Sequence, residues 1–174
     1  GYGINRREIM YNDFIVIGPK HDPAGIKGKK AIDAFKIIAL KKAIFVSRAD
    51  KSGTHLLEIK LWKNATGTIP ERERWYIETG QGMLQTIAVA EERDGYTLTD
   101  RATYIKYEQN MKNNPNLVIL SEKDKDYFNQ YSLIEVNPSK CPNVNNKKAK
   151  EFIEWMSSKK IQKFIGEYRI NGKK

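Results

Sequence analysis

The sequence predicts an α/β protein whose mainly parallel sheet is covered by helices on both faces. Short apolar segments typical of buried strands recur along the chain, and stretches with helical spacing of apolar residues lie between them. Such alternation is typical of parallel sheets, because parallel strands need a crossover connection that is usually a helix. The length of 174 residues and the hydrophobic share of 40% suffice for one or two compact cores.

Six segments are predicted as strands. The first, 14–18, has the sequence FIVIG and ends at Gly18-Pro19, a pair that interrupts regular structure. The second, 43–47, has the sequence AIFVS and leads directly into a polar turn. The remaining strands are predicted at 74–78, 96–98, 117–120 and 132–136.

Five helices are predicted from the spacing of apolar residues. In 29–42 one helical face carries Ile32, Phe35, Ile38 and Ala39. The longest helix, 147–168, carries Phe152, Trp155, Met156 and Phe164. The other three helices are predicted at 54–64, 83–93 and 101–108.

The net charge of +10, from 31 basic and 21 acidic residues, favours an anionic partner. The basic residues are spread over several clusters with acids between them, so most are interpreted as solvated surface. Nucleic-acid binding is not expected, because the sequence contains no RNA-recognition aromatic strand and no zinc-finger spacing. Cys141 is the single cysteine, which excludes an internal disulfide and metal sites built on paired cysteines.

The turn after the second strand, 47–54, is rich in hydrogen-bond donors. Its donor side chains are Ser47, Arg48, Lys51, Ser52 and Thr54. Gly53 allows close approach to the backbone, and the start of the next helix adds unpaired N–H groups with a partial positive charge. This set suits a small tetrahedral oxyanion. The alternative is an ordinary capping turn, in which Asp50 caps the helix or orients Arg48.

A second donor-rich turn, 79–82, precedes the 83–93 helix. Thr79 can cap that helix, and Gly80 and Gly82 expose backbone donors on either side of Gln81. A tight turn that merely uses glycine is the alternative interpretation. Gln85 interrupts the glycine fingerprint of dinucleotide-binding sites, which disfavours a nucleotide ligand.

A third turn, 97–101, precedes the 101–108 helix. Asp100 is predicted to cap this helix, and Thr99 or Arg101 can face the same site as the other turns, with Arg101 favoured as a structural ion-pair partner. Ligands of open α/β sheets bind at the carboxyl ends of strands. The three turns together therefore predict one anion site.

Four segments resemble the tungstate-type solute-binding proteins of ABC importers, which are relatives of the molybdate- and sulfate-binding receptors. They are 6–18 (RREIMYNDFIVIG), 47–62 (SRADKSGTHLLEIKLW), 75–83 (WYIETGQGM) and 96–104 (YTLTDRATY). The resemblance covers nearly the whole chain, from Tyr2 to about Ile170. It implies a type II periplasmic-binding-protein fold, in which two α/β lobes joined by crossing strands enclose the ligand in a cleft.

The resemblance also implies a function. The expected ligand is tungstate or a closely similar tetrahedral oxyanion such as molybdate, with no catalysis, no cofactor and no metal bound as a cation. The receptor would deliver the anion to the membrane permease of an ABC transporter, at the periplasmic or extracellular face of a bacterial cell membrane.

Carried over by position, the resemblance divides the chain into a crossover into the second lobe (1–18), the second lobe itself (19–130), and a return strand with closing helices of the first lobe (131–174). Arg48 would be the arginine that contacts the anion. The other expected ligand-binding residues are Ser47, Ser52, Gly53, Thr54, Thr79, Gly80, Gln81, Gly82 and Thr99.

The sequence departs from the family pattern in two ways. Ala49 stands where glycine is expected. Family members also begin with a first-lobe segment that brings a hydroxyl-rich motif to the anion, and nothing like it precedes Gly1. We therefore expect the chain to be a proteolytic or engineered fragment. Self-association would then cover its exposed first-lobe surface.

Two other classes of function remain as alternatives. A ligand-sensing domain of a transcription regulator has the same fold, but it would be expected beside a helix-turn-helix, which this sequence lacks. An enzyme of phosphate or nucleotide chemistry is disfavoured, because there is no Walker motif and no acidic metal cluster. Ser52 and His55 do not make a catalytic triad without an orienting acid.

Overall fold

The structure is a computed structural model that describes residues 1–170 and Gly172. The chain forms two compact units: a smaller unit of Gly1–Asn12 with Asn129–Lys174, and a larger unit of Asp13–Phe128. The chain therefore passes between the units twice, at 12–13 and at 128–129.

The larger unit contains the sheet around which its helices pack. Strand β1 (Gly3–Pro19) begins in the smaller unit, and its apolar end pairs antiparallel with β4 (Thr97–Asp100) on one side and β5 (Leu117–Ser121) on the other. Strand β2 (Phe45–Ser47) pairs in parallel with β3 (Tyr76–Glu78). A single parallel bridge joins Phe45 to Tyr96, just before β4.

The prediction of a mainly parallel sheet is wrong. The main sheet is antiparallel at both β1–β4 and β1–β5, whereas parallel pairing occurs between β2 and β3 and at the bridge to Tyr96. The reason is the position of β1, which lies between β4 and β5 and runs against both. Alternation of strands and helices along the sequence does not reveal that the first strand inserts between two later ones.

Helices cover both faces of this sheet, as predicted. They are α1 (Ala31–Lys41), α2 (Gly53–Thr66), α3 (Met83–Glu92) and α4 (Arg101–Asn110), followed by a 3-10 turn at Lys125–Tyr127. Alternate residues of β1 enter two separate cores: Phe14 and Val16 pack with residues of α1 and α2, whereas Ile15 and Ile17 pack with residues of α3 and α4. A continuous apolar run is therefore required, because both faces of the strand are buried.

The smaller unit contains β6 (Phe128–Val136), which pairs with β1, and two helices, α5 (Asn146–Met156) and α6 (Lys159–Glu167). The prediction of one long helix over 147–168 is wrong, because the helix is interrupted at Ser157 and Ser158. The Ser158 hydroxyl caps α6 by accepting the Ile161 N–H over 3.4 Å. Within the described residues, no helix combines the length and hydropathy of a membrane span.

Candidate anion-binding site

The carboxyl ends of three parallel segments meet at one edge of the larger unit. Phe45 of β2 aligns with Tyr76 of β3 and with Tyr96, from which the chain continues into β4. Three residues beyond these aligned positions the chain reaches Arg48, Thr79 and Thr99. The register thus brings all three sequence-predicted turns to the same edge, which we call the donor edge.

The first turn, the anion loop 47–54, is held in a left-handed path by its own hydrogen bonds. The Ala49 N–H donates to Ser47 Oγ over 3.2 Å, and the Ser52 N–H donates to Asp50 Oδ1 over 3.0 Å. Ala49 and Lys51 have φ angles of 50° and 60°. This conformation explains why glycine would be expected at position 49, since a residue with a Cβ adopts it at a cost.

Arg48 lies between these hydrogen-bonded positions and pairs with Asp50. Its Nε is 2.7 Å from Asp50 Oδ2, and the two side chains are 24% and 21% exposed. The Nε atom itself is buried against this carboxylate. Nε therefore faces Asp50, and the terminal amino groups of the guanidinium are the part of Arg48 that an anion can contact.

Asp50 is held in its charged form. Burial opposes ionisation, but hydrogen bonds from Ser52 and the charge of Arg48 prevail and hold the pKa of Asp50 below its usual value. Of the two roles considered for Asp50, the structure supports contact with Arg48, because the residue that caps α2 is Ser52.

The N-terminus of α2 forms the far side of the anion loop. Ser52 Oγ accepts the His55 N–H over 3.4 Å. The N–H groups of Gly53 and Thr54 precede the first internal helix bonds, so they remain as donors with a partial positive charge. A Cβ built on Gly53 would meet no described atom within 4 Å, so the space beside it is open. Thr54 is buried, at 7% exposed.

Thr79 ties the second turn to the first. Its N–H donates to the Ser47 carbonyl over 3.0 Å, and its Oγ1 lies 3.1 Å from the same oxygen and 3.0 Å from Thr86 Oγ1. The Gln81 N–H donates back to Thr79 Oγ1 over 3.3 Å. Thr79 does not cap the following helix, because that position is taken by Gly82.

The start of α3 is open to solvent beside this turn. Gly80, Gln81 and Gly82 are exposed, and no side chain of the described residues caps the helix. Gly80 has a φ of 64°, which only a residue without a Cβ adopts freely. A second set of unpaired N–H groups therefore lies at the donor edge.

The third turn is more closed. Thr99 is fully buried, and its hydroxyl lies 3.2 Å from the Asp100 carbonyl. Asp100 caps α4 by accepting the Thr103 N–H over 2.9 Å, as predicted. Arg101 forms the structural ion pairs that the sequence favoured, with Asp13 at 2.6 Å and Glu122 at 2.8 Å.

Glu58 is a buried acid behind the anion loop that sequence reasoning missed. It is 1% exposed, and its carboxylate accepts hydrogen bonds from Ser47 Oγ (2.9 Å), Trp62 Nε1 (3.1 Å) and Tyr76 Oη (2.7 Å). Burial raises the pKa of Glu58 to about 7. A signal was present, since Glu58 lies three and four residues before Leu61 and Trp62, on the helical face that these two apolar residues mark as buried.

The donor edge has the chemistry of an anion site. Its groups are one guanidinium, the unpaired N–H groups of two helix N-termini and the backbone of two turns. Among the described residues, no group of three or more His, Cys, Asp or Glu side chains is placed to hold a metal ion.

Comparison with known proteins identifies the family. A family model described as the PBP superfamily domain matches residues 1–160. The chain belongs to the PBP superfamily. Within it, the chain is a homologue of tungstate-binding proteins: tungstate-binding protein TupA of Campylobacter jejuni is 47% identical over 173 residues, which cover 99% of this chain and 64% of the relative.

Two solved structures of this superfamily support the same grouping. A tungstate-binding protein TupA from Desulfovibrio alaskensis has a TM-score of 0.91 at 55% identity, with 99% of this chain and 69% of that chain covered. The tungstate ABC transporter structure from Geobacter sulfurreducens has a TM-score of 0.78 at 46% identity, with 97% and 69% covered. These relatives are named for binding and transport rather than for catalysis, as the sequence predicted, and they do not favour the regulator alternative.

The match does not extend over the whole of the relatives. The chain spans 64%, 58% and 50% of the length of three curated relatives.

Proposed function

We propose that this chain binds tungstate, or a closely similar tetrahedral oxyanion such as molybdate, at the donor edge of the larger unit. The observation that carries the proposal is Arg48, a partly buried cation that Asp50 orients at the donor edge. A charged donor in that state is satisfied well by an oxyanion, since charge-assisted hydrogen bonds are about twice as strong as neutral ones.

Backbone N–H groups supply the remaining donors of the proposed anion site. The N–H groups of Gly53 and Thr54 at α2, and those of Gly80 and Gly82 beside α3, supply donors that do not depend on side-chain rotamers. The Gln81 N–H already donates to Thr79 Oγ1, so the proposed contribution of Gln81 is to hold the second turn. Ser52 and Thr79 contribute by holding these turns, and Lys51 adds a positive charge nearby. Ser47 and Thr99 are fully buried, so their proposed contribution is support of the turns from behind.

We further propose that the receptor delivers its anion to the permease of an ABC transporter, at the periplasmic or extracellular face of the membrane. The names of the homologues support this role, because they describe tungstate-binding proteins and a tungstate ABC transporter. Self-association stays a prediction. The smaller unit exposes several large apolar side chains on its helices, among them Phe152, Trp155 and Phe164.

Isothermal titration calorimetry of the complete protein tests the ligand. We expect tungstate to bind most tightly, molybdate closely behind it, and phosphate far more weakly. Sulfate, which is smaller, serves as the size control. The absence of binding heat with all four anions would refute the proposal, whereas preference for sulfate would refute only the ligand assignment.

A further inference from the structure

Glu58 connects three elements behind the anion loop. Its two oxygens accept from the end of β2 (Ser47), from its own helix α2 (Trp62) and from β3 (Tyr76). Three donors on a carboxyl group that is 1% exposed satisfy its charge without water.

The Ser47 hydroxyl passes this connection on to the anion loop. Ser47 Oγ donates to Glu58 and accepts the Ala49 N–H, so the two residues on either side of Arg48 are joined through one oxygen. Because Ala49 has a φ of 50°, this hydrogen bond supports a backbone conformation that an alanine does not favour by itself. The direction in which the Arg48 side chain points therefore depends on Glu58.

We propose that Glu58 is a positioning residue that sets the anion loop through the Ser47 hydroxyl, and that oxyanion binding and protonation of this carboxyl favour each other. The inference rests on the proposed function. A buried negative charge behind the loop opposes a dianion at its front, because Coulomb interactions are strong where water is excluded. Uptake of one proton from solvent removes that opposition.

The hydrogen-bonded connection survives in both states. When Glu58 is ionised, the Ser47 hydroxyl donates to it. When Glu58 is protonated, its new O–H can donate to Ser47 Oγ, so the direction reverses while the contact remains. Proton uptake therefore changes the charge behind the loop without releasing the loop.

Few other ionisable groups face Glu58. From β3 these are Tyr76, in direct contact, and Glu78, whose negative charge also raises the pKa of Glu58. The charged residue of β4, Asp100, is engaged instead by Thr103 at the start of α4. On α2 itself, His55 lies one turn earlier and its Nδ1 accepts the Lys51 N–H. The α1 residues buried in the neighbouring core are apolar: Ala31, Ala34, Phe35 and Ile38.

Calorimetry of tungstate binding by the complete protein at pH 6.5 and pH 8.5 tests the proposal, with each titration repeated in two buffers of different ionisation enthalpy. We expect the wild type to take up protons on binding and to bind about tenfold more weakly at the higher pH. A tenfold change in affinity corresponds to the free energy of about one charge-assisted hydrogen bond. Glu58→Gln should abolish both effects and should bind at pH 8.5 as the wild type does at pH 6.5.

Two control variants separate Glu58 from its neighbours. Glu78→Gln removes an exposed acid on the adjacent strand, and His55→Gln removes the imidazole beside the loop. Both should retain the proton uptake of the wild type. Thermal unfolding of each variant checks that it is folded before titration.

The outcomes distinguish this inference from the function on which it rests. If the wild type binds tungstate without proton uptake, or if Glu58→Gln keeps the uptake, the role of Glu58 is overturned and tungstate binding stands. If the wild type binds no tungstate at either pH, the proposed function fails and this inference fails with it.

Discussion

Arg48 is the side chain on which the proposed anion site depends most. Its Nε lies 2.7 Å from Asp50 Oδ2, so Asp50 both orients the guanidinium and balances its charge. A ligand with several oxygens can take the free donor directions of the guanidinium, which an ammonium group could not match in geometry.

Replacing Arg48 with alanine should therefore remove most of the affinity for tungstate. A charge-assisted hydrogen bond contributes roughly 1.5–3 kcal/mol, which corresponds to a loss of about tenfold to a hundredfold. Calorimetry on the variant measures this loss. Arg72→Ala is the matched control, because Arg72 is exposed in the turn before β3 and should leave affinity unchanged. Unchanged affinity in Arg48→Ala would remove Arg48 from the site.

Ala49 should be sensitive to branching at Cβ. Its left-handed φ of 50° is tolerated by alanine but strongly disfavoured for a β-branched residue. We expect Ala49→Val to lower the free energy of unfolding by about 1–3 kcal/mol, measured by urea denaturation. Ala88→Val, at an exposed position within α3, is the control and should cost only about 0.5 kcal/mol. Equal effects of the two changes would contradict the importance of the loop conformation.

Between elements, Arg101 joins three parts of the larger unit. It begins α4 and pairs with Asp13 in β1 and with Glu122 just after β5, with side chains about one quarter to one third exposed. These ion pairs keep the pKa of Arg101 above its already high usual value. Both of its partners lie close to the residues where the chain enters and leaves this unit.

Removal of this arginine should destabilise the larger unit without changing which anion the protein prefers. Arg101→Ala leaves two carboxylates close together without their shared cation, so we expect a loss of about 1–3 kcal/mol in the free energy of unfolding after allowance for solvent screening. The additional change Asp13→Asn should recover part of this loss, since it removes one of the stranded charges. Additive losses in the double variant would show that the two groups are not coupled.

Most elements of the larger unit could be predicted, because their apolar residues are packed on both sides and leave a clear pattern. The polar first half of β1 was missed, since 3–8 is largely exposed and shows no strand pattern. The break between α5 and α6 was missed because Phe152, Trp155 and Phe164 keep helical spacing across Ser157 and Ser158. Antiparallel pairing was missed because sequence order does not specify which strands become neighbours.

For the donor edge, too, the sequence predicted some features and missed others. Turn composition pointed to the loops at Arg48 and Thr79, because oxyanion donors are recognisable by type. It could not show that the Thr99 hydroxyl is fully buried or that the Thr79 hydroxyl faces Ser47 and Thr86. Those facts depend on contacts between residues that are distant in sequence.

For the whole molecule, buried and hydrogen-bonded acids should give stability an unusual dependence on pH. Asp22 and Asp50 have pKa values below their usual value, because hydrogen bonds to the charged form outweigh the opposing effect of burial. They contribute stability that is present above pH 4 and is lost as the pH falls through their folded-state values. Glu58 acts in the opposite direction, since burial raises its pKa from 4.5 to about 7.

Between pH 4.5 and 7, the folded protein binds a proton at Glu58 that the unfolded chain has lost, so the free energy of unfolding should fall as the pH rises. A shift of this size corresponds to about 3–4 kcal/mol at most. Urea denaturation at half-unit steps from pH 4.5 to 8 measures the slope, which should flatten above pH 7. Glu58→Gln should remove the decline, whereas Glu78→Gln, an exposed acid on β3, should preserve it. A decline of the same size in Glu58→Gln would assign the effect to another group and leave Glu58 as a carboxyl that its three donors keep ionised throughout this range.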